Sequence, residues 1–195
     1  MVYDLEDKEI EIEDEDLEKS REIEVFDATL RDLTVYIESG NSKLLHEKGY
    51  YGNIQNDILE LESIEALLLL ERKRIIVKTE DGLEYDFQKL SEFFVNNIPN
   101  FWTKFLVYKD LRSRGYIVRK GFDDDIEFRV YNRGAVIGES NAKYLIHPII
   151  EGLPIKLDDL AKITKIAKSS RKKLVLTVID SSGELTYYHC KEVIF

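Results

Sequence analysis

The segment from Phe101 to Lys173 constrains the fold of this chain most, because helical and strand patterns alternate along it at short intervals. It opens with FWTKFLVYKDLRSRG, in which Phe105, Tyr108 and Leu111 recur at helical spacing on one face. Gly115 favours the left-handed end of that helix. The patterns predict a helix from Phe101, strands at Tyr116–Val118, Glu127–Tyr131 and Lys143–Ile150, a basic amphipathic helix at Asp158–Ser170, and strands at Leu174–Ile179 and Leu185–Cys190.

A smaller α+β domain is predicted before this segment. Its predicted elements are one or two strands within Val25–Glu38, a helix at Ser42–Lys48, a helix at Glu60–Arg72, a hairpin of Ile75–Thr79 and Leu83–Phe87, and a helix at Gln88–Asn96. Pro99 cannot continue a helix, and the asparagines around it favour turns. We therefore expect a first domain at 25–99 and a second at 100–195.

Charge divides the chain unevenly. Residues 1–24 carry 12 Asp or Glu and three Lys or Arg, whereas residues 101–195 carry 17 Lys or Arg and 12 Asp or Glu. Mutual repulsion of the carboxylates predicts a mobile acidic tail at 1–24, with an acidic arm for a basic partner as the alternative. The carboxy-terminal part, with an excess of five positive charges, is compatible with a nucleic acid as ligand.

Composition narrows the class of protein further. No apolar run approaches the roughly 20 residues that cross a bilayer, and the acidic start does not have the pattern of a signal peptide. The single cysteine, Cys190, excludes an internal disulfide framework and argues against structural zinc. We expect a cytoplasmic protein with no membrane contact, metal or cofactor.

Four short blocks, DLRSRGYIV, FRVY, AKYLI and SSRKKLVL, follow one another between Asp110 and Leu176. Their order and spacing resemble the carboxy-terminal nuclease domain of the archaeal tRNA-splicing endonucleases. The stretch Lys48–Gly52, KGYYG, resembles part of that family's amino-terminal domain. The resemblance implies a restriction-endonuclease-like α/β domain with a mixed central sheet. It also implies metal-independent cutting of precursor tRNA at bulge–helix–bulge sites, which leaves 2′,3′-cyclic phosphate and 5′-hydroxyl ends.

The resemblance also assigns catalytic positions. The family's tyrosine and lysine fall on Tyr131 and Lys172, whereas Asn141 occupies the position of its general-acid histidine. An amide gives up no proton near neutrality, so Asn141 cannot protonate a leaving group. His147 is the nearest histidine along the chain and a weak substitute, with a structural role as its simpler interpretation. The acidic run Asp123–Asp125 would further repel the substrate phosphate.

Binding positions follow from the same comparison. Lys165 stands where the family has an arginine that stacks on a bulged base, and it lacks the planar guanidinium. Lys168 and Arg171 could contact the RNA backbone together with Lys165. In this family a carboxy-terminal strand pairs across a dimer, which implies the interface residues Tyr187, Tyr188, Val193 and Phe195.

Three hypotheses remain open from the sequence. The first is a structural subunit of a tRNA-splicing endonuclease, whose partner is a catalytic subunit or a second copy, in a dimer or tetramer. The second is an active homo-oligomeric tRNA-intron lyase with an atypical triad. The third is a non-catalytic RNA-binding or scaffold module of the same fold.

Overall fold

A computed structural model describes residues 24–38, 40, 43–121 and 126–191. Residues 1–23 of the predicted acidic tail lie outside the described residues, as do Asp123–Asp125 and the interface candidates Val193 and Phe195. Within the described ranges, no helix is long and apolar enough to cross a membrane.

The amino-terminal part contains a six-stranded sheet in the order β3-β4-β2-β1-β5-β6. Its elements are β1 (Phe26–Arg31), β2 (Thr34–Ile37), α1 (Lys43–Gly49), β3 (Asn53–Gln55), β4 (Ile58–Glu62), α2 (Ser63–Glu71), β5 (Ile75–Thr79), β6 (Glu84–Tyr85) and α3 (Phe87–Asn97). Strands β1 and β5 are parallel, and the other strand pairs of this sheet are antiparallel. This part has the predicted α+β architecture.

One element of the amino-terminal prediction was wrong. The helix expected from Glu60 begins only at Ser63, because Ile58–Glu62 forms a strand that turns back on Asn53–Gln55. The two turn residues between these strands both have positive φ, which is the geometry of a tight hairpin turn. Leu59 and Leu61 are completely buried opposite β2, so their spacing of two reflects a strand rather than a helix.

The carboxy-terminal part contains a five-stranded sheet in the order β11-β10-β9-β8-β7. Its elements are α4 (Phe101–Ser113), β7 (Ile117–Lys120), β8 (Phe128–Tyr131), β9 (Tyr144–Ile150), α5 (Leu157–Ser169), β10 (Lys173–Ile179) and β11 (Leu185–Cys190). Strands β9 and β10 are parallel across α5, whereas the other pairs are antiparallel, so the predicted mixed sheet is confirmed.

The two faces of this sheet are covered by different helices. Helix α4 packs on one face, where Phe128, Val130 and Ile146 belong to the same buried cluster as Phe105 and Tyr108. Helix α5 covers the other face, where its residues Ile163 and Ala167 pack with Leu145 and Leu174. Residues that lie opposite each other in the register point to the same face, so the side chain of each strand residue can be assigned to the α4 face or the α5 face.

The amino-terminal and carboxy-terminal parts share one hydrophobic core. The buried cluster that contains α4 also contains Leu67 and Leu68 of α2 and Phe94 of α3. Polar contacts join the parts as well, because Arg112 of α4 donates a hydrogen bond to the Gly49 carbonyl oxygen at 2.7 Å. The KGYYG stretch recognised in the sequence therefore lies against the carboxy-terminal part.

Candidate functional site

The strand register brings the predicted catalytic positions to one end of the carboxy-terminal sheet. Tyr131 ends β8, and its neighbour Val130 lies opposite Tyr144, the first residue of β9. Lys173, which follows Lys172, lies opposite the same Tyr144 from the other side. The main chain of Lys143 connects these strands, since its N–H donates to Val130 at 2.9 Å and its carbonyl accepts from Lys173 at 3.0 Å. Tyr131 and Lys172 are thus separated by the beginning of a single strand.

A helix-terminating motif fixes Lys172 at this edge. The N–H of Lys172 donates to the Ala167 carbonyl at 2.9 Å, and the N–H of Arg171 donates to the Lys168 carbonyl at 3.1 Å. This pair of hydrogen bonds, with Arg171 in the left-handed region at φ 55°, forms a Schellman motif at the end of α5. The Lys172 side chain is half-buried, and its Nζ donates to the Ser170 carbonyl at 3.2 Å.

Tyr131 lies in a small apolar cluster at the end of β8. Only 8% of its surface is exposed, and it packs with Ile117 and Ala142. Tyr50 of the KGYYG stretch packs against this cluster from the amino-terminal part. The sequence analysis assigned no function to Tyr50, although its position within the recognised stretch was the one available signal.

The three histidines of the chain lie on α1, β9 and β11. Asn141, at the family's histidine position, is exposed in the segment that enters β9. His147 lies opposite Leu176, four residues beyond Lys143 and therefore about 13 Å further along the strand. His46 is in α1, where its Nδ1 lies 3.0 Å from the Tyr51 carbonyl oxygen and must therefore carry the proton. His189, on β11, lies opposite Val175.

The predicted RNA-contacting cations lie on and after the outer side of α5. Lys165 and Lys168 are exposed, because the inner side of the helix carries Ile163 and Ala167. Both lysines line a cavity of about 710 Å³ between α5 and the end of β11. Arg171 is exposed next to Lys172. A row of cations thus leads from the surface of α5 to the edge at which Lys172 lies.

The two described interface candidates on β11 point to opposite faces. Tyr187 is half-buried on the α4 face, where its hydroxyl donates to Asp110 Oδ2 at 2.5 Å. Burial and this hydrogen bond raise the pKa of Tyr187 far above its usual value. Tyr188 lies on the other face and is 55% exposed. Strand β11 is an edge of the sheet within the described residues.

Comparison with known proteins identifies the class of each part. Residues 26–91 match the family model of the tRNA intron endonuclease N-terminal domain, and residues 101–187 match that of the tRNA intron endonuclease catalytic C-terminal domain. A tRNA-splicing endonuclease from Methanothermobacter thermautotrophicus is 35% identical over 150 residues, which cover 75% of this chain and 85% of that relative.

Other relatives extend this result. A tRNA-splicing endonuclease from Thermococcus onnurineus is 36% identical over 77% of this chain and 86% of its own length. One from Methanosarcina acetivorans is 38% identical over 75% of this chain, but the match spans only 41% of that longer relative. The chain belongs to the tRNA-splicing endonuclease family, as its sequence blocks indicated.

Proposed function

We propose that this chain is a subunit of a tRNA-splicing endonuclease that removes introns from precursor tRNA at bulge–helix–bulge sites, and that it supports cleavage without performing it. The observation that carries the proposal is the amide of Asn141 at the position of the general acid. Tyr131 and Lys172 lie at the same sheet edge, whereas His46 lies in α1, His147 lies about 13 Å further along β9, and His189 lies on β11 opposite Val175.

The chemistry of the reaction explains why this substitution matters. The ribose 2′-oxygen attacks the adjacent phosphorus, the bond to the 5′-oxygen breaks, and the leaving oxygen takes up a proton. A base near the 2′-oxygen, an acid near the leaving oxygen and a cation near the phosphate accelerate this step. Tyr131 is the proposed base and Lys172 the proposed cation. Asn141 can donate a hydrogen bond to the leaving oxygen but cannot transfer a proton to it.

A non-cutting subunit can still bind the substrate and complete the oligomer. Lys165, Lys168 and Arg171 provide cations for the RNA backbone, in contacts that carry no sequence preference. The exposed Tyr188 on β11 provides an edge-strand surface for a second subunit. The proposed partner is a catalytic subunit with a histidine at the position of Asn141, or a second copy, in a dimer or tetramer.

The test compares the purified chain alone with the same chain plus a His-bearing family member, using a labelled bulge–helix–bulge RNA. The expected result is cleavage that requires the second subunit and increases when this chain is added to it. Cutting by this chain alone at a rate similar to that of the mixture would favour the active homo-oligomer. If the chain binds no RNA in either setting, a scaffold module with no role in cleavage is favoured.

A variant test addresses the missing acid directly. The loss of a general acid typically costs about 10²- to 10⁴-fold in rate, so Asn141→His should restore part of that factor. We expect the larger gain when Asp123–Asp125 are also replaced by asparagine, because their charges repel the phosphate. Asn141→Gln is the matched control and should leave the rate unchanged. Full activity from Asn141→His alone would show that the acidic run is irrelevant.

A further inference from the structure

A second concave surface lies on the α4 face of the carboxy-terminal sheet, opposite the α5 face. It is a cavity of about 290 Å³, with Val130 and Ile146 among its apolar lining residues. Tyr116, Tyr144 and Tyr187 line it too, all three half-buried, together with the side chain of Arg114. Three aromatic rings therefore border one opening that is partly accessible to solvent.

Each of these rings has a cation over it. The Arg114 guanidinium lies 5.7 Å from the ring centre of Tyr187, and Arg133 lies 5.2 Å from that of Tyr116. The Lys143 ammonium lies 5.4 Å from the ring centre of Tyr144. Such distances allow favourable cation–π contacts. Arg114 itself lines the cavity, and Arg133 and Lys143 add positive charge next to two of the rings that border it.

The acidic group next to this cavity is already compensated. Asp110 accepts hydrogen bonds from Arg114 Nε at 2.7 Å and from the Tyr187 hydroxyl at 2.5 Å. The positive charges of Arg133 and Lys143, both exposed, are thus in excess around the cavity. A surface with aromatic rings and excess cations fits the flat bases and charged backbone of single-stranded RNA.

The cavity opens near the end of the sheet that carries Tyr131 and Lys172. Tyr144, which lines it, is the residue that lies opposite both Val130 and Lys173 in the strand register. Lys143 directly precedes it and hydrogen-bonds both neighbouring strands. The cavity and the predicted catalytic positions therefore lie near the same end of the sheet.

We propose that this cavity binds an unstacked base of single-stranded RNA, while Arg133 and Lys143 contact the phosphates on either side. The inference rests on the proposed function, because it assigns to the same RNA substrate a second contact on the opposite face of the sheet. The site would hold one extruded or flanking nucleotide, because its three rings border a single cavity of about 290 Å³.

The test uses fluorescence anisotropy with the full chain and a labelled, unstructured RNA of about ten nucleotides, a length within the usual site sizes for single strands. A strand of equal length that lacks bases serves as the second probe. Tyr144→Leu should weaken binding of the base-bearing strand by about 5- to 150-fold, which corresponds to the loss of one stacked base. It should leave binding of the base-free strand almost unchanged, which a general loss of folding would not do.

Charge variants provide an independent measurement. Arg133→Gln and Lys143→Gln, both at exposed positions, should each reduce the slope of log K against log salt by about 0.7 for single-stranded RNA. The matched control is Arg31→Gln, because Arg31 also lies over a tyrosine, 5.2 Å from the ring centre of Tyr36, but is paired with Glu38 and Glu80. This control should change neither the affinity nor the slope.

The outcomes separate this inference from the proposed function. If the cavity variants bind both RNA probes as well as the unchanged chain does, the inference is wrong even if the chain supports cleavage. If the variants lose association with a second subunit instead of RNA binding, the cavity is a protein interface and the inference is again wrong. If they lose binding of the base-bearing strand although the chain never supports cleavage, the inference holds and the proposed function fails.

Discussion

A single substitution at Arg119 would remove several polar contacts with the KGYYG stretch. From β7, its Nη1 donates to the carbonyl oxygens of Tyr50 and Gly52 at 2.9 and 2.7 Å, and its Nη2 donates to Asn53 Oδ1 at 2.5 Å. Nη1 also lies 3.9 Å from Glu65 Oε1. The Arg119 side chain is 17% exposed and that of Glu65 only 5%, so solvent screens this pair weakly.

Burial determines the protonation of Glu65. It raises the pKa of this carboxyl above its usual value, and the hydrogen bond from the Gly52 N–H and the nearby Arg119 oppose part of the shift. The folded chain therefore binds the Glu65 proton more tightly than the unfolded chain does. The contribution of Glu65 to stability consequently falls as pH rises from about 4.5 through the folded-state pKa.

Replacing Arg119 with methionine keeps most of the side-chain volume but leaves Glu65 without its cation. Removal of one partner from a buried ion pair costs about 3–5 kcal/mol. For a chain of this size, each kcal/mol lowers the midpoint temperature by roughly 2–4 °C, which predicts a fall of about 6–20 °C. Glu65→Gln in the same background removes the uncompensated charge and should recover part of this loss.

The assay is urea unfolding at pH 5 and pH 7.5, followed by circular dichroism and by the fluorescence of Trp102, the single tryptophan. The destabilisation by Arg119→Met should be larger at pH 7.5, because the missing cation extends the range in which Glu65 resists ionisation. In the Glu65→Gln background this pH dependence should disappear. An equal cost at both pH values, or a cost below about 1 kcal/mol, would refute the reasoning on a buried, compensated carboxylate.

Three further substitutions test local features of the fold. Arg171→Gly should raise the free energy of unfolding by about 1 kcal/mol in urea titrations, because glycine adopts the left-handed conformation without strain. The loss of charge should weaken RNA binding at the same time. An unchanged free energy of unfolding would argue against strain at this position. Gly52→Ala should cost about 1–3 kcal/mol more than Gly134→Ala. Both glycines have positive φ, but only at Gly52 does the new Cβ collide with the Glu60 carbonyl oxygen. Equal costs would show that the backbone shifts freely. Tyr187→Phe should reduce the loss of stability above about pH 10. Burial raises the pKa of Tyr187, so the folded chain retains a proton that the unfolded chain releases. An unchanged alkaline unfolding profile would contradict this.

The carboxy-terminal fold followed from local patterns with little error. The face of α4 predicted from Phe105, Tyr108 and Leu111 is buried, and the predicted order of helices and strands is present. Periodicity alone was insufficient before Ser63, where leucines satisfy both a strand and a helix pattern. The turn at Asn56 and Asp57 lacks the glycine that usually indicates a tight hairpin, so the strand Ile58–Glu62 was assigned to a helix.

The candidate site was only partly accessible from the sequence. Tyr131 and Lys172 were predicted through their family blocks, and the register explains how two residues 41 positions apart reach one edge. The position of Tyr50 was missed because it depends on long-range packing with Ile117 and Tyr131 that no local pattern encodes. The same limit applies to Tyr116 and Tyr144. In the sequence they are ordinary strand residues, and only the folded sheet brings their rings to one cavity.

The packing of the KGYYG stretch links the stability of the chain to its candidate site. Tyr50 has a positive φ of 53°, which a tyrosine adopts at an energetic cost, and hydrogen bonds donated by Arg119 and Arg112 hold the carbonyl groups of this stretch. Because Tyr50 packs against the cluster of Tyr131, release of these hydrogen bonds frees the stretch and loosens one wall of that cluster. The amino-terminal part thus supports the edge where the predicted catalytic tyrosine lies, and a substitution at Arg119 should alter RNA cleavage by the complex as well as the unfolding of this chain.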